Sequence, residues 1–351
     1  MCTDNLDDPA IALPTDHFNT NLWTGTGGTR SLTGVGFQPD FTWIKSRSDG
    51  LQHMLFDSVR GATKYLVSDA ADAGATDATQ LTAFDSDGFS LGSGTVVNGT
   101  SKTFVGWNWR AGGTAVSNGD GSITSSVSAN PTAGFSIVKV PTTGSVLTAG
   151  HGLSQTPEMI LEKSMDKTDM WCVYHEAIGN TKGLLLDADG AETTSSTFWN
   201  DTSPTSTVWT MGTQNAVNNS GEETIAYCFH SVEGYSKVGS YTGNGATDGP
   251  FIYTGFRPAF IMVKLTTAAS GQWAMFDNKR DPDNPTDLVI YANLTNADTD
   301  VSSYYPYDLL SNGFKSRIPA GNGNEANYNS SGQTYIYLAF AESPFKTSNA
   351  R

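Results

Sequence analysis

Apolar and polar positions alternate along short stretches of this chain, and three of the stretches are nearly the same. In Pro39-x-Phe41-x-Trp43-Ile44-Lys45 the apolar side chains stand two and four places after the proline. That period turns one face of a β-strand inward. The pattern recurs as Pro157-x-Met159-x-Leu161-Glu162-Lys163 and Pro258-x-Phe260-x-Met262-Val263-Lys264. Proline is tolerated where such a strand begins, because it has no N–H to give to the ladder.

Each lysine is followed, after eight, eight and nine residues, by a second apolar stretch: HMLFD (53–57), WCVYH (171–175) and WAMFD (273–277). Two short runs at constant spacing around a polar turn predict a hairpin. A late strand also repeats, as FVGWNW (104–109), IAYCF (225–229) and IYLAF (336–340), and puts Trp107 and Trp109 on an apolar face. The first and third copies share more, with WTGTG (23–27) matching YTGNG (241–245) and GFSL (88–91) matching GFKS (313–316). The second copy has Val208-Trp209 where the others have Gly-Phe.

Copies recurring at about 100 to 120 residues are on the scale of a domain, above the 20–45 residues of a solenoid unit. No amphipathic helix is evident, beyond a turn or two over 58–66. The reading is all-β: three tandem antiparallel β-sandwich domains of jelly-roll or lectin-like type, since stacking two sheets buries both apolar faces. The predicted divisions are an N-terminal arm at 1–17, a first domain at 18–112, a Gly/Ser/Thr-rich linker at 113–130, a second domain at 131–234 and a third at 235–351. The first joint is expected to be flexible or draped and the second stiffer.

Composition agrees with strands and turns: 37 of 351 residues are glycine and 16% are charged. The net charge of −15 argues against a nucleic-acid groove and equally against an anionic membrane surface. The start, MCTDNLDDPAIALP, has no basic segment and no long apolar run. The expectation is synthesis in the cytoplasm without a signal peptide, and no membrane insertion.

Candidate chemistry is sparse. Cys2, Cys172 and Cys228 make neither a disulfide framework nor a zinc site. Gly25–Arg30 is glycine-rich but has no helix behind it, so it does not make a phosphate cradle. The five histidines, His17, His53, His151, His175 and His230, stand singly and are read as packing or surface residues. The acidic stretches Asp187–Glu192 and Asp281–Asp287 lack the full EF-hand spacing and read as solvated turns, so no metal and no cofactor is expected. Lys45, Lys163 and Lys264 read as strand ends leaving for solvent, or as guards of an edge strand. Tyr304, Tyr305 and Tyr307, in SSYYPYD, are the binding candidates, because Pro306 interrupts any ladder and leaves rings free to stack on sugars or a partner.

Several of these segments carry a resemblance. TGVGFQPDFTWIKSRS, DSDGFSLG, WNWRAGGTAVSNGDGSITSSVSANPTAGFSIV, YCFHSVEGYSKVGSYTGNG, GFRPAFIMVK, LSNGFK and YLAFAESPFK resemble a repeat module of structural proteins from marine bacteriophages, including cyanophages. The likeness covers nearly all of the chain after residue 17. It implies a virion protein of tail-fibre or adhesin type with lectin-like sandwich domains, attached to other virion proteins and facing a host-surface glycan or protein. It also implies a homo-oligomer, by habit of fibres a trimer. No catalytic or ligand residues come with it, and no collagen-like or coiled-coil shaft is recognisable here. A capsid or tail decoration protein is the alternative. A glycan depolymerase would need a paired-carboxylate cleft that the repeat does not single out, so no enzyme activity is expected.

Overall fold

In the computed structural model, residues 8–269, 271–303, 306–318 and 328–347 are described. Among them the chain is built from antiparallel strands, with short helical turns at Pro14–Asp16, Thr95–Asn98 and Ser196–Trp199. The stretch 58–66, expected to hold a helical turn or two, is a hydrogen-bonded turn that runs into the strand Lys64–Tyr65.

Each repeat makes one inner sheet with the same strand order. A first strand pairs with the late strand, the late strand with the proline strand, and the proline strand with the hairpin strand. In the first repeat these are Phe18–Thr24, Thr103–Trp109, Phe41–Ser46 and Met54–Asp57. The second uses Phe135–Pro141, Glu223–Phe229, Met159–Ser164 and Cys172–His175. The third uses Ser236–Thr242, Thr334–Pro344, Phe256–Leu265 and Ala274–Asp277. A small outer sheet covers one face of each: Arg30–Thr33 with Gly88–Leu91 and Leu81–Asp85; Leu147–Gly150 with Val208–Met211; and Phe251–Tyr253 with Gly313–Ser316 and Tyr307–Leu310.

The proline strands are buried on both faces. Ile44, Ile160 and Ile261 belong to the separate cores between each inner sheet and its outer sheet. Their neighbours point the other way. Phe41, Trp43, Met159, Leu161, Phe260 and Met262 meet in one cluster with Trp107, Trp109, Tyr227, Phe229, Leu338 and Phe340. The repeats therefore pack face to face on a common core, and Phe18 stacks on Phe340 of the third repeat at 4.9 Å. A two-face apolar strand is what a sheet sandwiched between two cores requires.

Two segments differ from expectation. The stretch 113–130 contributes Val116–Asn118 and Ser125–Asn130, which extend the second inner sheet outward from Phe135–Pro141. Small Ser, Ala and Val side chains suit an added outer strand as well as they suit a linker. Within the expected arm, residues 8–17 lie against the body: Ile11 is buried in the common core, Pro14 is buried, and Asp8 meets Lys346 at 2.7 Å.

The departure at Val208 has a compensating partner. Gly88 and Gly313 lie against opposite-strand backbone, where a β-carbon would come within 2.0 and 2.1 Å of the Leu32 and Ile252 carbonyl oxygens. In the second repeat the glycine has crossed the ladder, since Val208 pairs with Gly150. One member of the pair still lacks a side chain.

Candidate functional site

Of the three tyrosines expected to bind a partner, Tyr307 is not available at the surface. Tyr307 is fully buried, its hydroxyl 2.6 Å from that of Tyr241 and its ring edge-on to Phe276 at 5.4 Å. A strand begins at Tyr307 immediately after Pro306, which turns the ring into the third outer core. Tyr304 and Tyr305 lie outside the described residues.

The lysines are corrected too. Lys45, Lys163 and Lys264 do not exit to solvent; all three are fully buried. They continue the face that carries Phe41, Trp43 and their counterparts, and each ammonium is held by backbone carbonyls. Lys45 Nζ donates to Ser46 O (2.9 Å) and Asp49 O (3.3 Å), and Lys163 Nζ to Ser164 O (2.8 Å) and Lys167 O (2.9 Å). Lys264 Nζ donates to Leu265 O (2.5 Å) and to Gly190 O of the second repeat (2.8 Å). Burial pulls all three down to about 8, against the pull of nearby aspartates.

Between repeats, the same bonds recur three times and close a ring. Gly74 N donates to Met165 O, Glu192 N to Thr266 O and Asp298 N to Arg47 O, each at 2.8 Å. These link the first repeat to the second, the second to the third and the third to the first. The residue opening each hairpin strand adds a side-chain bond. Trp171 Nε1 donates to Val67 O (2.8 Å) and Trp273 Nε1 to Leu185 O (2.8 Å). His53 fills the third position, with Nδ1 accepting from Trp43 Nε1 (2.8 Å) and Nε2 facing Tyr291 O at 3.0 Å. Those partners require the neutral ring protonated on Nε2. Burial indeed holds its pKa well below the ordinary histidine value.

A buried ion pair completes two of the three interfaces. Asp57 Oδ2 accepts from Arg60 Nε (2.5 Å) and from Tyr227 of the next repeat (2.8 Å). Asp277 Oδ2 accepts from Arg280 Nε (2.5 Å) and Trp107 Nε1 (3.1 Å), and the guanidinium lies 5.5 Å from the Trp107 ring. At the corresponding positions of the remaining interface stand His175, Ile178 and Leu338. With no donor at Leu338, the charges opposite it are gone as well.

One buried acid escapes the repeat logic. Glu162 takes the place of Ile44 and Val263, inside the second outer core. Its Oε1 accepts from Trp209 Nε1 at 2.5 Å, and burial pushes it up to about 8. Beside it, Cys172 and Cys228 are buried free thiols whose pKa values burial also raises. The acidic stretches at 187–192 and 281–287 serve as turn fasteners: Asp187 Oδ1 accepts from Trp171 N (3.1 Å) and Asp281 Oδ2 from Asp287 N (2.6 Å). Among the described residues, no group of three or more His, Cys, Asp or Glu is placed to hold a metal ion. Nor is any helix there long and apolar enough to cross a membrane.

Sheet order, shared core and ring of interfaces define an all-β protein in which three repeats of one inner-sheet order pack on a common core. The chain belongs to the family described as a domain of unknown function, DUF7483, whose model matches residues 13–344 in one span. That span takes in all three units. No curated protein and no solved structure matches the chain significantly.

Proposed function

We propose that this protein is a structural component of a bacteriophage virion, of tail-fibre or adhesin type, fixed to the particle through other virion proteins and turned toward the host surface. The resemblance of the repeated segments supplies the setting. The observation that carries the reading is the ring itself. The chain's buried charges at Asp57, Arg60, Asp277 and Arg280 are used to lock unit to unit, which suits a body that bears load and presents surfaces. Several weak contacts offered together from a multimer would supply avidity.

A capsid or tail decoration protein is the second reading, favoured by the repeated geometry. One chain carrying three equivalent units matches a platform of threefold symmetry without needing three chains. Purified particles separate these readings: mass spectrometry should find the chain, and immunogold labelling should mark the tail for the first reading and the shell for the second. Absence of the chain from particles would overturn both. Release of oligosaccharide from host-surface glycan by the purified protein would move the assignment to a depolymerase.

A further inference from the structure

The three units provide internal controls for one another, and one surface feature breaks their equivalence. In the third outer sheet, the strand Phe251–Tyr253 exposes Phe251 (45%) and Tyr253 (62%), while Ile252 between them is buried. Alternation places both rings on one outward face. Strand register identifies their counterparts. Phe251 pairs with Lys315 and Tyr253 with Gly313; in the first unit Ser31 pairs with Ser90 and Thr33 with Gly88; in the second Thr148 pairs with Thr210 and Gly150 with Val208. The same strand folds twice without an aromatic at either place, so packing does not require the rings.

Their surroundings form a platform beside a cavity. A β-carbon on Gly313 would come within 3.0 Å of the tip of the Phe251 ring. Tyr253 borders a cavity of about 540 Å³ whose rim includes Glu233, the Asp8–Lys346 ion pair and Pro344. That volume is in the range of small-ligand sites.

We infer that Phe251 and Tyr253 form a saccharide-binding platform, taking a neutral pyranose against the rings with its hydroxyls turned to the carboxylates and ammonium of the rim. Two aromatic faces present apolar plates suited to the C–H face of a sugar ring. With a net charge of −15 the protein repels polyanions, and the mixed rim favours hydroxyls. The rings are too few for a protein partner, since each offers about 200 Å² at most whereas a stable interface needs roughly 800 Å² a side. The inference deepens the host-contact reading and rests on it for its setting, though not for its test.

The test uses the whole chain and its F251S/Y253T variant, which installs the first unit's residues and should fold normally by circular dichroism and Tm. Saturation-transfer NMR with maltohexaose, cellohexaose, chitohexaose and mannohexaose should detect transfer to pyranose ring protons for at least one of them. The variant should lose affinity about tenfold or more. Transfer to none of the four, or transfer unchanged in the variant, would overturn the site. Should the double variant misfold, Tyr253→Thr alone carries the same expectations. Particle mass spectrometry answers the other question: a sugar-binding protein missing from virions would sink the virion reading and leave the platform standing.

Discussion

Glu162 occupies a strand position that its repeats fill with Ile44 and Val263, and burial is what raises its pKa to about 8. An acid raised on folding contributes most below its unfolded pKa, and that contribution is lost as pH climbs toward the folded value. Replacing Glu162 by Gln, an isostere of the protonated form, should stabilise the protein by about 3 kcal/mol at pH 7. The gain should shrink to nothing near pH 4, as read from urea unfolding of both proteins across that range. A gain independent of pH would show that the carboxyl is ionised in the fold. The interface pairs behave differently. Asp57→Asn leaves Arg60 buried with no carboxylate partner and should cost about 3–5 kcal/mol. The combined change Asp277→His, Arg280→Ile and Trp107→Leu copies the neutral interface, and should be less destabilising than Arg280→Ile alone. If the triple variant is the worse of the two, the interfaces are not interchangeable.

At the scale of elements, the hairpin strand is the piece that joins neighbours, because its opening residue reaches the preceding unit through Trp171, Trp273 or His53. Trp273→Phe removes the donor to Leu185 O and leaves that carbonyl unpaired. The expected loss is about 1–3 kcal/mol in denaturant titration, and no loss would mean that the indole N–H is not part of the joint. The proline, hairpin and late strands were legible in the sequence because alternation and spacing are local signals. The common core was not. A proline strand buried on both faces reads like one whose polar positions are merely short of charge, and nothing local says what meets its second face. The lysines were misread for the same reason. A strand-end lysine resembles a solvent exit until the carbonyls of Ser46, Ser164 and Leu265 are seen to close around it. Pro306 hides the strand that starts beside it and so conceals the burial of Tyr307, whereas Glu162 shows in the alignment of repeats as an acid where Ile44 and Val263 are apolar. The Ser/Thr/Gly run at 113–130 gave no hint of pairing, since backbone bonds hold Ser125–Asn130 to Phe135–Pro141 and Val116–Asn118 to Ser125–Asn130, and the two strands leave little apolar pattern of their own.

For the whole molecule, a unit taken alone would expose the inner-sheet face carrying Phe41, Trp43, Trp107 and Trp109. An apolar patch of that size on an isolated fragment promotes association. The fragment 18–112 should therefore aggregate or bind the dye ANS strongly, whereas the full chain should not. A family model running unbroken over 13–344 is in keeping with the three units being one body. Differential scanning calorimetry of the intact chain tests that unity most directly. One transition is predicted, with van't Hoff and calorimetric enthalpies equal. Three resolved transitions, or a van't Hoff enthalpy near a third of the calorimetric one, would mean that the units fold independently and that the ring of interfaces does not bind them together.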